Sequence, residues 1–90
     1  MNPIDIALRI ATSAHAGQLD RDGYPVILHP LTVGLMGHTD EEKMAGFLHD
    51  VVEDTKFTEE DIRREFGDEV ALLVDGVTKL GRLSYSSDKL

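Results

Sequence analysis

The sequence contains no cysteine. Disulfides and thiolate metal sites are therefore excluded. Positive charge is scarce as well: nine Lys and Arg stand against seventeen Asp and Glu, for a formal net charge of -8. General nucleic-acid binding needs a basic face and is argued against. A phosphorylated small molecule is not, because a bound metal can supply positive charge locally. No apolar run approaches the roughly 18 residues of a membrane helix. The N-terminus lacks the charged and apolar regions of a signal peptide. A cytoplasmic, soluble protein with no membrane association is the expectation. Strand patterning is weak throughout, and no repeat, low-complexity segment or linker divides the 90 residues. A chain of this length makes one domain that buries only about 60–65% of its unfolded surface. Help from a metal or a partner subunit is expected.

What is present reads as an all-α fold of about five helices. Asn2-Pro3 followed by Asp5 is a helix start: Asn at the N-cap, Pro in the first turn, an acid near the positive end of the dipole. Ile4, Leu8, Ala11 and His15 then recur at helical spacing, and Gly17 ends the helix. GQLDRDGYP reads as a loop. VIL reads as an extended approach to His29-Pro30, with His29 at the N-cap of a second helix that Gly37 closes. Thr39 with Glu42 is a capping box for a third helix reaching about Asp54. Thr58 with Asp61 opens a short fourth that ends near Gly67. A fifth is expected from about Asp68 to Val77, followed by a polar, frayed tail, GRLSYSSDKL.

The third helix holds an anomaly. FLHDVVEDT, residues 47–55, sets His49, Asp50, Glu53 and Asp54 within an apolar run. Buried without partners, such groups cost several kcal/mol each. At about 100° per residue, Phe47, Val51, Met44, Leu48 and Val52 fall on one side of the helix. His49, Glu53, Gly46, Asp50 and Asp54 fall within an arc of about 140° on the other. Three carboxylates crowd one histidine there, beside a glycine with no side chain to obstruct them. A solvated face is one reading. A bound divalent cation is the other, since it would reverse the repulsion between Asp50 and Asp54 at i, i+4. His29, held before a proline, adds a second imidazole. His29, His49 and Asp50 together suit Mn²⁺, Fe²⁺ or Zn²⁺ better than Ca²⁺ or Mg²⁺.

The ordered motifs AHAGQ, DGYPVILHPL, FLHDVVEDT, FG and VDGVTKLG resemble the hydrolase domain of the RelA/SpoT alarmone enzymes. These belong to the HD phosphohydrolase superfamily, named for an adjacent His-Asp. The resemblance spans nearly the whole chain. It implies an all-helical HD-domain fold over residues 1–90, a divalent metal that is usually Mn²⁺, and removal of the 3′-pyrophosphate of guanosine tetra- or pentaphosphate. By the same resemblance His29, His49 and Asp50 are metal ligands, and Glu53 and Asp54 orient or activate the attacking water. Arg21 and Lys79 would contact the substrate. His15 takes a structural place on the inner face of the first helix.

Two departures qualify this. The family's paired basic residues are replaced by Asp20-Arg21-Asp22, and Val26 stands where Tyr is common. Arg21 could equally pair with Asp20 or Asp22, and Lys79 could be a plain helix-end lysine. The downstream KxxDRxxN-type motif, whose Asp completes the family's metal site, has no match, and Asp75 does not replace it. The expectation is the N-terminal portion of a hydrolase domain, with reduced metal affinity and an exposed apolar surface that drives self-association. Two other functions remain open: hydrolysis of a different nucleotide, and a catalytically silent nucleotide-binding or regulatory module.

Overall fold

The computed structural model describes the backbone of residues 2–88 and the side chains of residues 2–78. Five helices follow in order: α1 Pro3–Ala14, α2 Leu28–Leu35, α3 Asp40–Asp54, α4 Glu59–Phe66 and α5 Asp68–Asp88. The all-α reading holds. The only extended pairing among the described residues is a single bridge between Leu19 and Pro25 in the α1–α2 loop. No helix among them is long and apolar enough to cross a membrane.

Three of the predicted caps form. The Asn2 side chain accepts from the Ile4 N–H at 2.8 Å. Thr39 Oγ1 accepts from the Glu42 N–H at 3.1 Å, and Glu42 Oε1 accepts in return from Thr39 at 3.0 Å and from His38 at 2.7 Å. Thr58 and Asp61 repeat the arrangement at α4. Each box satisfies N–H groups that no helical carbonyl can reach. Gly67 separates α4 from α5 at φ +98, a backbone conformation open to glycine and strained for other residues.

Other boundaries differ from expectation. VIL is not extended. Leu28 and His29 already donate to the Pro25 and Val26 carbonyls, so winding starts early and Ile27 becomes the N-cap of α2. His29 therefore lies inside the first turn rather than at the cap. α1 closes at Ala14 with His15 as its C-cap, and Gly17 takes a left-handed conformation just beyond it. α5 continues past Val77 to Asp88. The backbone stays helical through a segment whose serines and glycine had suggested a frayed tail.

α3 is the axis of the domain. It packs against α1, α2 and α5, while α4 packs on α5. Met44, Ala45, Phe47, Leu48 and Val51 from α3 meet Ala7 and Ala11 of α1, Ile62 of α4, and Val70, Ala71 and Val74 of α5. Burying a side chain such as Leu48 or Ile62 is worth about 1.5–3 kcal/mol. At the α2–α3 crossing the two backbones meet closely. A Cβ on Gly46 would lie 2.5 Å from the Gly34 Cα and backbone nitrogen, and one on Gly34 would strike the Phe47 ring. Gly46 thus serves a backbone-to-backbone contact, not an open space beside the acids.

Gly46→Ala tests that contact. Alanine favours an isolated helix by about 1 kcal/mol, but here it must push two backbones apart. A net loss of about 1–3 kcal/mol is expected, read as a lower urea midpoint by circular dichroism. An unchanged or raised midpoint would show that the helices can separate without cost.

Candidate metal centre

The α2–α3 crossing lays the first turn of α2 over the last two turns of α3. His29 comes from the former, His49 and Asp50 from the latter. The two imidazole centroids are 5.4 Å apart with their planes at 66°. His29 Nε2 stands 3.8 Å from Asp50 Oδ2, and His49 Nε2 stands 3.0 Å from Asp50 Oδ1. His49 is buried, Asp50 half-buried and His29 mostly exposed. His49 was expected on a polar outer face; α2 covers that part of the face and removes it from water.

Hydrogen bonding settles the state of the His49 ring. Its Nδ1 lies 2.5 Å from the Gly46 carbonyl oxygen. A carbonyl only accepts, so Nδ1 carries the hydrogen and donates. Nε2 is then the nitrogen that faces Asp50. Without a second proton, a nitrogen lone pair and a carboxylate oxygen would meet at contact distance. A proton on Nε2 or a shared cation relieves that repulsion. A ligating histidine that donates its other nitrogen to a backbone carbonyl is the usual arrangement at metal centres.

One ligand atom each from His29, His49 and Asp50 can be chosen so that all lie within 4.8 Å of one another. Ions bound at about 2.1 Å hold neighbouring ligands roughly 3–4 Å apart. The exposed His29 side chain has room to turn the remaining distance. Two imidazoles and a carboxylate are also donors of the right hardness for a transition-series dication. The residues therefore fit a divalent metal.

Electrostatics point the same way. The last turn of α3 has no basic residue, although the helix dipole favours cations there. Among the described residues no Lys or Arg pairs with Asp50 or Asp54; Arg9, Arg63 and Arg64 pair with Asp5, Glu60, Asp61 and Asp68 instead. Burial alone would push the His49 pKa down. The hydrogen bond to Asp50, the Gly46 carbonyl and the charges of Asp50 and Glu53 outweigh it and hold the pKa above its ordinary value. Burial alone would raise Asp50. Its hydrogen bond to His49 and the nearby charges of His49, His29 and His15 outweigh that and lower it.

Glu53 and Asp54 are exposed at the end of α3, one turn beyond His49 and Asp50. Arg21 is exposed in the α1–α2 loop and makes no ion pair among the described residues. Its neighbour Asp20 is committed to the loop backbone, where Oδ1 accepts from Asp22 at 2.9 Å and Tyr24 at 3.0 Å. The surface pairs considered for Arg21 are therefore absent. The Lys79 side chain lies outside the described residues. His15, assigned only a structural place from sequence, is 2% exposed, and its charge is felt at Asp50.

Two opposite pH dependences follow for the metal-free chain. The raised His49 pKa contributes stability that is complete below its ordinary 6.5 and is lost as pH rises through the folded value. The lowered Asp50 pKa contributes stability present above its ordinary 3.8 and lost as pH falls through the folded value. From this pair, stability should be greatest between those two values. Urea midpoints measured from pH 4 to 8 should fall above about 6.5, and His49→Gln should remove that fall. The same slope in both chains would disprove the coupling.

The HD domain family matches this chain over residues 7–89. A GTP pyrophosphokinase of Streptomyces coelicolor is 46% identical over 89 residues, covering 94% of this chain and 10% of that protein. A guanosine-3′,5′-bis(diphosphate) 3′-pyrophosphohydrolase of Haemophilus influenzae is 49% identical over 80 residues, covering 84% of this chain and 12% of that protein. The bifunctional (p)ppGpp synthase/hydrolase SpoT of Escherichia coli is 42% identical over 87 residues, covering 92% and 12%. The chain thus spans about a tenth of the length of these relatives. A family match over nearly all its residues, joined to a helical fold that brings an adjacent His-Asp under a second histidine, places the chain in the HD domain family.

Proposed function

We propose that this chain carries the hydrolytic metal centre for removal of the 3′-pyrophosphate from guanosine tetra- or pentaphosphate, with Mn²⁺ as the ion. The observation that carries the reading is the convergence of His29, His49 and Asp50, with the His49 ring fixed by the Gly46 carbonyl. The names of the Haemophilus and Escherichia relatives, one a 3′-pyrophosphohydrolase and the other a synthase/hydrolase, support the substrate.

His29, His49 and Asp50 hold the ion, which when bound lowers the pKa of a coordinated water and offsets charge on phosphoryl oxygens. His49 contributes a neutral nitrogen, because its only hydrogen stays on Nδ1. Glu53 and Asp54 stand on the exposed side of the same helix end. One of them accepts the proton of the attacking water, and the other orients it. By resemblance Arg21 is assigned to the substrate's base and phosphates, and Lys79 to the phosphates. Phosphoryl transfer then depends mainly on positioning and on charge stabilisation. The exposed Leu35, Met36 and Leu72 support self-association through apolar surface.

Calorimetry with Mn²⁺ on this chain and on His49→Ala tests the centre. Binding by the first and none by the second is expected; equal binding would overturn the assignment. Glu53→Gln should keep Mn²⁺ affinity within a few-fold while slowing pyrophosphate release from guanosine tetraphosphate by about 10²–10⁴. Unchanged hydrolysis would remove Glu53 from the chemistry. In sedimentation velocity the chain should show species heavier than 10.0 kDa that grow with concentration; a single monomer at all concentrations would refute self-association.

A further inference from the structure

The chain has three Phe and two Tyr. Phe47 lies in the core, and Phe57 and Phe66 pack against it. Tyr24 stands apart in the α1–α2 loop and is 62% exposed. Among the described residues its hydroxyl makes no hydrogen bond and its ring no ring contact. A single exposed apolar residue on a loose loop would mean little. This loop is not loose.

Asp20 holds the Tyr24 backbone twice. The Tyr24 N–H donates to Asp20 Oδ1 at 3.0 Å, and the Tyr24 carbonyl accepts from the Asp20 N–H at 2.8 Å. The Leu19–Pro25 bridge, with the Val26 N–H on the Gln18 carbonyl at 3.0 Å, closes the loop below it. The same limb runs into the metal centre, because the His29 N–H donates to the Val26 carbonyl at 3.2 Å. Tyr24 lies five positions before His29. That is at most about 17 Å of fully extended chain, and the turn bonds at Leu28 and His29 shorten it. Both side chains are exposed.

The layout offers an ion site at one end and a flat apolar ring at the other. Arg21, exposed and without an ion pair, adds a cation to the same loop. A nucleoside polyphosphate has the matching parts: phosphoryl groups for the ion and the guanidinium, and a planar base for the ring. Base–aromatic stacking is worth enough to shift affinity strongly, and it needs only the π-face that every base presents. A loop already ordered before binding loses less entropy when the ligand arrives.

We propose that Tyr24 is the base-stacking residue of this site, so that the chain selects nucleoside polyphosphates over polyphosphates that carry no base. This deepens the nucleotide reading above and rests on it. The ring, and not the hydroxyl, does the binding.

The test compares the chain with Tyr24→Ala and Tyr24→Phe by calorimetry. Mn²⁺ alone is titrated first, then guanosine diphosphate and inorganic pyrophosphate, each with Mn²⁺ present. Tyr24→Ala should weaken guanosine diphosphate by about 5- to 150-fold. It should leave Mn²⁺ and pyrophosphate within about twofold, since neither meets the ring. Tyr24→Phe keeps the π-face and should bind guanosine diphosphate nearly as the parent does. Undiminished guanosine diphosphate binding by Tyr24→Ala would overturn the role. So would an equal loss of guanosine diphosphate and pyrophosphate, which would mean that the loop or His29 had moved. A change in sedimentation with unchanged nucleotide affinity would overturn it as well, and would make Tyr24 a contact between copies. Mn²⁺ binding by the parent without guanosine diphosphate binding would remove Tyr24's role and leave the metal centre standing. No Mn²⁺ binding by the parent would overturn the centre itself, and the nucleotide reading with it.

Discussion

The contact between Gly34 and Gly46 governs where the chemistry sits. At this crossing two helix backbones meet with no side chain between them, and a Cβ on Gly46 would come to 2.5 Å from Gly34. The close approach brings the first turn of α2 down onto α3. It sets His29 Nε2 within 3.8 Å of Asp50 and covers His49. A larger residue at either glycine would lift α2 away, and the two imidazoles would no longer face one carboxylate. Gly46 contributes twice, because its carbonyl also takes the His49 Nδ1 hydrogen.

Charge distribution follows from the same geometry. An acid-rich helix end with no base in its last turn works against the helix dipole. In water the repulsion would be screened and modest. Here Asp50 is half-buried against a buried histidine, so its charge must be met locally. The proton on His49 meets it in part, which is why the two pKa values move apart. A divalent ion would meet it more fully and compete with that proton.

The remaining helices give this arrangement its rigidity. The Thr39–Glu42 box fixes where α3 begins, and therefore the angle at which His49 leaves it. α1 and α5 close over Leu48 and Val51, so α3 cannot rotate without opening the core. α4, tied to α5 through Gly67 and the Arg63–Asp68 ion pair, stands further from the site and contributes Ile62 to the core.

Much of this was legible in the sequence, for identifiable reasons. Capping boxes and the Asn2-Pro3 start are local, so α1, α3 and α4 could be read from a few adjacent residues. The division of α3 into apolar and ionisable sides is set by helical period alone, and with it the candidacy of His49, Asp50, Glu53 and Asp54. Boundaries that depend on distant packing were not legible. The early start of α2 follows from turn hydrogen bonds to Pro25 and Val26, and α5 outruns its composition. Which residues could hold a cation was readable from the chain alone, because ligand type and helical face are local properties. The burial of His49, the role of Gly46 as a contact rather than a gap, and the lack of partners for the His15 ring nitrogens among the described residues emerge from packing between helices. Those facts depend on which backbone comes close to which, and no local signal records that distance.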